Sequence, residues 1–354
     1  MNYVILNYAD DGSLTHSAII FGKNNLKLVD TKQIFNLYKF TDGDNEFYFP
    51  IKKSNERLKL EQSQIIFTEY PFLNNCKKIV SLPSLKDENL VNAYKNEILI
   101  QILFLGDPAT VSYEHPVKVI TSVNPENSNG TDLFFDIKLC IPFFFYKNQL
   151  SLIDFIKADT FKTKTPKDKV FFYARRADER MYGMRDRGYF INMIKTKLNT
   201  DLFEISNSMH KNVELSRVQY GLYHLGNFFD YNDCMFNLVF ESQHVDYFHK
   251  NQFWISEKTL FPLLLSNPFF LFASKPILNA LKELNIKLLN DEFEFDDEDI
   301  EKKFEAFIQF INNSNFESKK EFYVKMNEKQ MENRKKVLEY IYSPKKEVIE
   351  FLIN

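Results

Sequence analysis

The sequence predicts an α/β protein of two domains with helices at its C-terminal end, and three observations predict it. Its 354 residues exceed the size at which one hydrophobic core stops growing. Residues 1–155 are rich in short β-branched or aromatic runs broken by polar residues. From residue 169 short strands alternate with helices, the pattern of βαβ units around a parallel sheet. The expected organisation is an N-terminal α/β domain over 1–158, a linker over 159–168, a second domain over 169–340 and a C-terminal helix over 341–354.

In the first domain, strands are expected at Tyr3–Asn7, Ser17–Phe21, Glu46–Ile51, Gln64–Thr68, Lys78–Ser81, Val117–Ser122 and Leu133–Phe144, with one helix over Asp87–Phe104. Asn124-Pro125-Glu126-Asn127-Ser128-Asn129-Gly130 is a turn cluster. The polar, proline-containing stretch Asp159–Asp168 serves as the linker. In the second domain, strands are expected at Lys169–Tyr173, Asp201–Ile205, Phe236–Phe240, Phe269–Ala273 and Ile286–Leu289. The helices between them cover Met184–Leu198, Glu257–Leu265 and Pro276–Leu284. From Asp299 onward Phe304, Phe307 and Phe310-Ile311 recur at helical spacing.

Composition removes several classes of function. The 45 basic and 48 acidic residues leave a formal charge of −3, which provides no global field for nucleic acid. Three widely spaced cysteines (Cys76, Cys140, Cys234) contain no CxxC pair, which argues against a zinc ribbon or a disulfide framework. The N-terminus reads as a strand and not a signal peptide, and the longest apolar run, Leu260–Ala273, is interrupted by Ser266-Asn267-Pro268. A cytoplasmic protein without a membrane span is expected. The six histidines show no HxH or HExxH spacing, so no metal site is expected. No Walker A, GxGxxG, GxSxG or kinase signature is present.

Three constellations remain. The first follows the opening strand of the second domain: Arg175, Arg176 and Arg180, continuing to Arg185 and Arg187. Loops after strand C-termini line the crevice of an open α/β sheet, and arginine forks suit phosphate oxygens. The bland alternative is a solvated helix start with local ion pairs. The second is Ser256-Glu257-Lys258, between two apolar stretches. Ser256 is a good N-cap, and a first helical turn presents unpaired N–H groups and a positive dipole end. Lys258 opposes that dipole, so a cation here better serves a phosphate than the helix. Glu257 beside it suits a hydroxyl-bearing ligand. The alternative is a capped helix with two exposed charges. The third is Glu241, at the end of Phe236–Phe240, a candidate for sugar or ribose hydroxyls or else a loop residue. The acidic run Asp291–Asp299 reads as a solvated loop leading into the last helices.

Taken in order, the Arg-Arg-x-x-x-Arg segment, Phe236–Ser242, Ile255-Ser256-Glu257-Lys258-Thr259, Asn267-Pro268-Phe269 and the late Glu332-Asn333-Arg334 resemble the glycosyltransferase-like proteins of phages, large viruses and bacteria. The donor half is similar to α1,3-fucosyltransferases, where a (Thr/Ser)-Glu-Lys triplet starts a helix beside the nucleotide-sugar. The resemblance covers roughly residues 168–340. This chain departs from the pattern at Ala174, where related chains tend to have a polar Asn before the arginines.

The resemblance implies a GT-B-like fold, with two facing Rossmann-like domains and a cleft between them. It implies a donor domain at 169–340 and an acceptor-side domain at 1–158. It implies metal-independent transfer of a sugar from a nucleoside-diphosphate sugar to a hydroxyl acceptor such as a glycan, with inversion and no cofactor. Lys258 would meet the diphosphate, Glu257 the ribose or sugar, and Arg175, Arg176 or Arg180 would supply the second cation. Candidate bases are Glu69, Asp107 and Glu114. The rival readings are a non-catalytic viral structural or host-interaction protein keeping the fold, and a transferase acting on DNA bases.

Overall fold

The computed structural model describes residues 1–9, 20–54, 56–83, 87–103, 117–121, 132–134, 166–173, 193–206, 233–241, 257–273, 275–295 and 299–354. The chain divides into two compact units, Met1–Lys147 with Ile341–Asn354, and Asn148–Tyr340. Both are α/β, each built on a sheet with parallel strands.

Among the described residues the first unit holds an eight-stranded sheet in the order β2-β3-β4-β1-β5-β6-β7-β8. These are β1 (Asn2–Asn7), β2 (Lys27–Thr31), β3 (Phe35–Asp42), β4 (Asn45–Lys52), β5 (Lys77–Ser81), β6 (Ile98–Leu103), β7 (Val117–Thr121) and β8 (Asp132–Phe134). Strand β1 runs parallel to both neighbours, with Tyr3 opposite Phe47 and Ile5 opposite Ile79. Strands β2 and β3 were not expected, although their signal was present. Phe35 and Leu37 are buried and alternate with half-buried Asn36 and Tyr38, and Asp42 pairs with Asn45 across a two-residue turn. That turn needs Gly43, whose φ is +56°.

Two expected elements change type. Gln64–Thr68 was read as a strand from its β-branched and aromatic residues, but it lies in helix α1 (Leu60–Glu69). Ser63, Ile66 and Tyr70, spaced three and four apart, are buried, and Gln62 Oε1 accepts from the backbone N of Lys59 at 3.0 Å. The expected helix over Asp87–Phe104 stops early. Helix α2 covers only Glu88–Ala93, with Asp87 accepting from Leu90 N at 3.2 Å, and Ile98–Leu103 is strand β6. A continuous apolar run has no periodicity to separate a buried parallel strand from a buried helix. Ser17–Phe21 also changes: Ile20 and Phe21 are helical, and the rest lies outside the described residues.

The C-terminal residues belong to this first unit. Lys345 N donates to Ile20 O at 2.7 Å, and Asn25 Nδ2 donates to Tyr342 O at 3.1 Å. Lys118 Nζ donates to Phe351 O at 2.5 Å, a cation at the C-terminal end of the last helix. Leu352 meets Ile5, Ile20, Phe21 and Ile100 around a small void.

The second unit's described strands are β9 (Lys167–Tyr173), β10 (Phe203–Ser206), β11 (Cys234–Phe240) and β12 (Phe269–Phe272). They form an all-parallel sheet in the order β10-β9-β11-β12. Lys167 and Asp168, expected in the linker, therefore already belong to a strand. Every residue of β11 is buried, as a central parallel strand requires. Phe236, Leu238 and Phe240 face a core shared with Phe270, Phe272, Met193, Ile194, Phe304, Phe307 and Ile311. Residues 193–197 are the helical end of the expected Met184–Leu198.

The helices here are α3 (Glu257–Leu265), α4 (Lys275–Glu283), α5 (Ile300–Asn313) and the long α6 (Phe316–Tyr342), whose last two residues count with the first unit. The last helix, in the first unit, is α7 (Lys346–Ile353). Lys319 of α6, almost fully buried, reaches Asp168 at 2.7 Å and ties that helix to the start of β9.

Ile286–Leu289, expected as a closing strand, is not one. Asn290 takes its place as a partner for the edge strand β12: Oδ1 accepts from Leu271 N at 2.8 Å and Nδ2 donates to Leu271 O at 2.9 Å. Asn333 treats Lys287 the same way, accepting from its N at 2.9 Å and donating to its O at 2.7 Å. Two asparagine side chains thus satisfy backbone that a further strand would have paired.

Candidate functional site at the carboxyl edge of the second sheet

The second sheet begins with β9, places β10 on one side of it, then β11 on the other, and ends with β12. The direction of winding reverses between β9 and β11. In open parallel sheets, ligands bind outside the strands' carboxyl ends at this reversal, because the flanking loops diverge there and leave a crevice. Ser206 pairs with Tyr173, Leu238 with Phe172 and Phe240 with Phe272, so all four strands end at one edge.

Glu241 is the first residue after β11 at that edge. Its backbone N donates to Phe272 O at 2.9 Å, which fixes where its side chain starts. The side chain is fully buried, and it accepts a hydrogen bond from the hydroxyl of Thr259, itself fully buried. Thr259 is the third residue of α3, so this bond holds the helix's first turn against the end of β11. Glu257 and Lys258 are the first two residues of that turn. Its backbone N–H groups have no intrahelical acceptors, and the dipole's positive end lies there. The arrangement suits an anion such as phosphate.

The structure thus brings Glu257, Lys258 and Glu241 to one edge. Arg175, Arg176 and Arg180 follow β9 in sequence, whose last residue, Tyr173, ends at the same edge. These arginines lie outside the described residues, as do Ser256, Asp107 and Glu114. Glu69, read as the end of a strand, instead closes helix α1. It leads into the turn before β5 and does not follow a strand's carboxyl end, and its Oε2 is buried without a hydrogen-bond partner. Glu241, expected to meet sugar hydroxyls, has no solvent-exposed surface in this conformation.

Thr259 is the residue that sequence reasoning passed over. It stood in the Ser-Glu-Lys-Thr run, but a threonine inside a first helical turn is an ordinary sight, and its partner lies 18 positions away. Asn333, one of the residues that carried the resemblance, is fully buried and pins backbone. The acidic run is likewise engaged where described: Asp291 accepts from Leu288 N at 2.8 Å, Glu292 bridges Lys325 and Lys329, and Asp299 pairs with Lys302. Burial alone would push the Glu292 carboxyl upward, but the two lysines hold it below the ordinary carboxylate range. Among the described residues no cluster of three or more His, Cys, Asp or Glu is placed to hold a metal ion, and no helix is long and apolar enough to cross a membrane.

No protein-family model matches the chain, and no curated protein matches it in sequence. Among solved structures, it is similar to a chain described as the crystal structure of an alpha1,3-fucosyltransferase with GDP-fucose. That chain is 11% identical, the match covers 84% of this chain and 88% of that one, and the TM-score is 0.38. A likeness of that size assigns neither a substrate nor a site residue to this protein.

Proposed function

We propose that the protein is a glycosyltransferase that takes a sugar from a nucleoside-diphosphate sugar and passes it to a hydroxyl acceptor. The observation that carries the reading is the Glu241–Thr259 hydrogen bond, because it sets the first turn of α3, with Glu257 and Lys258, beside the winding reversal of a parallel sheet. The Ser-Glu-Lys triplet and the arginine-rich segment after β9 are the sequence features that the resemblance assigns to a nucleotide-sugar site.

In this mechanism the diphosphate sits at the first turn of α3. Lys258 and one of Arg175, Arg176 and Arg180 offset its charge, and Glu257 receives ribose or sugar hydroxyls. The acceptor oxygen attacks the anomeric carbon from the face opposite the diphosphate, so the bond to the leaving phosphate oxygen breaks as the new glycosidic bond forms. The acceptor's proton passes to a carboxylate, for which Asp107 and Glu114 are the candidates. The cations stabilise the departing nucleoside diphosphate, so transfer runs without a metal cofactor.

The test is release of nucleoside diphosphate from a panel of nucleotide-sugars, with and without excess chelator. The reading expects one or a few donors to turn over, with rates unchanged by chelation. Release from none of them, with binding of none, would remove the enzymatic reading and favour a non-catalytic protein of this fold.

A further inference from the structure

We propose that Glu241 is a positioning residue: through the Thr259 hydroxyl it locks the first turn of α3 in place, and it does not itself contact the donor. The inference rests on the nucleotide-sugar reading above and deepens it. Three observations carry it.

The root of the Glu241 side chain is fixed by sheet register, since its backbone N pairs with Phe272 O at 2.9 Å. The side chain is fully buried, and so is its partner Thr259. A buried carboxyl group away from water is costly unless it is hydrogen-bonded, and the bond from Thr259 contributes to offsetting that cost for Glu241. The nearby positive end of the α3 dipole favours the same placement.

The helix itself supplies the third observation. Pro262 lies inside α3 and has no N–H, so the carbonyl of Lys258 loses the donor that an ordinary helix would provide four residues on. The first turn is therefore joined to the rest of α3 by one bond fewer than usual, at the residue expected to meet the phosphate. A tertiary bond from Thr259, the next residue, to a strand end offsets that loss. Positioning of this kind matters because a displacement of about 1 Å at a charge-stabilising group can cost about a hundredfold in rate.

Three variants of the full chain test the proposal: Thr259→Val, which removes the hydroxyl at nearly constant shape, Thr259→Ser, which keeps it, and Glu241→Gln, which keeps an acceptor oxygen. Two readouts are needed: hydrogen exchange of the peptide spanning 257–265, and affinity for a panel of nucleoside diphosphates (GDP, UDP, CDP, ADP, TDP). Thr259→Val should raise exchange in that peptide and weaken the best nucleotide about tenfold, the cost of one lost buried hydrogen bond. Thr259→Ser and Glu241→Gln should stay within about twofold of the parent on both, because each retains the bond. Exchange around 300–342 should not change.

Unchanged exchange in Thr259→Val would overturn the lock. Faster exchange with full nucleotide affinity would overturn its positioning role. Loss of affinity in Glu241→Gln with unchanged exchange would make Glu241 a direct contact instead. If the parent protein binds none of the nucleotides, the functional reading fails by that result, and the exchange data alone decide whether the lock exists.

Discussion

Replacing Asn290 with alanine should destabilise the second unit by about 2–6 kcal/mol, taking about 1–3 kcal/mol for each buried backbone group left without a partner. The groups are the N–H and C=O of Leu271, which pair with Asn290 at 2.8 and 2.9 Å. Leu271 is fully buried and Asn290 is 4% exposed, so water does not readily replace the lost amide. Neither group has the alternative of pairing with β11, because the register directs the neighbouring residues Phe270 and Phe272 to that strand. Asn290→Asp separates the two halves of the interaction. It keeps an acceptor for Leu271 N–H but sets a second oxygen against the Leu271 carbonyl, so its loss should be smaller below about pH 4, where the carboxyl can donate. Urea unfolding followed by circular dichroism measures the loss, and hydrogen exchange at residues 269–272 assigns it to the edge strand. A cost below about 1 kcal/mol for Asn290→Ala would refute the reasoning, since it would mean that Leu271 finds other partners.

Gly22→Ala should lower the melting temperature and loosen the C-terminal segment, because φ at Gly22 is +75° and a Cβ there would lie 2.2 Å from Tyr342 O. The left-handed backbone alone costs about 1 kcal/mol, and the clash is with backbone that cannot swing aside. Lys345, nearly buried, has its pKa pushed down to about 8 by desolvation, against about 10.4 in an unfolded chain. The folded state therefore loses stability as pH falls from about 10 towards 8, and the full penalty applies at neutral pH. Lys345→Met should raise the melting temperature at pH 7 and lose most of that gain above pH 10, as thermal scans across that window would show. Lys258→Ala should lower kcat/KM by an amount equivalent to about 2–4 kcal/mol of transition-state stabilisation, while Glu257→Ala should mainly weaken donor binding. Steady-state kinetics with the preferred donor separate the two.

The second sheet was largely legible because strands such as β11 and β12 are short, almost wholly apolar runs. Parallel strands buried on both faces look alike in any sheet, which is also why Ile98–Leu103 passed for a helix. Gln64–Thr68 misled for the opposite reason: its residue types favour strand, but burial at three- and four-residue spacing decided for helix. The ends of α3 and β11 could be placed at one edge from order alone. The bond between them could not, because Thr259 and Glu241 meet only once β11 and α3 are packed. The backbone-pairing roles of Asn290 and Asn333 likewise carried no signal, since an asparagine that imitates a strand is indistinguishable in sequence from one in a turn. The return of the C-terminal residues to the first unit rests on contacts over 300 positions apart, such as Asn25 with Tyr342, which no local pattern encodes.

The most direct test of the central claim is a calorimetric titration of the protein, and of Lys258→Ala, with each nucleoside diphosphate in the presence of excess chelator. The account predicts saturable binding of at least one nucleotide to the parent protein, weakened at least about tenfold, or about 1.4 kcal/mol, by Lys258→Ala. Equal affinity in the two proteins, or no binding to the parent by any nucleotide, would contradict a phosphate site at the first turn of α3.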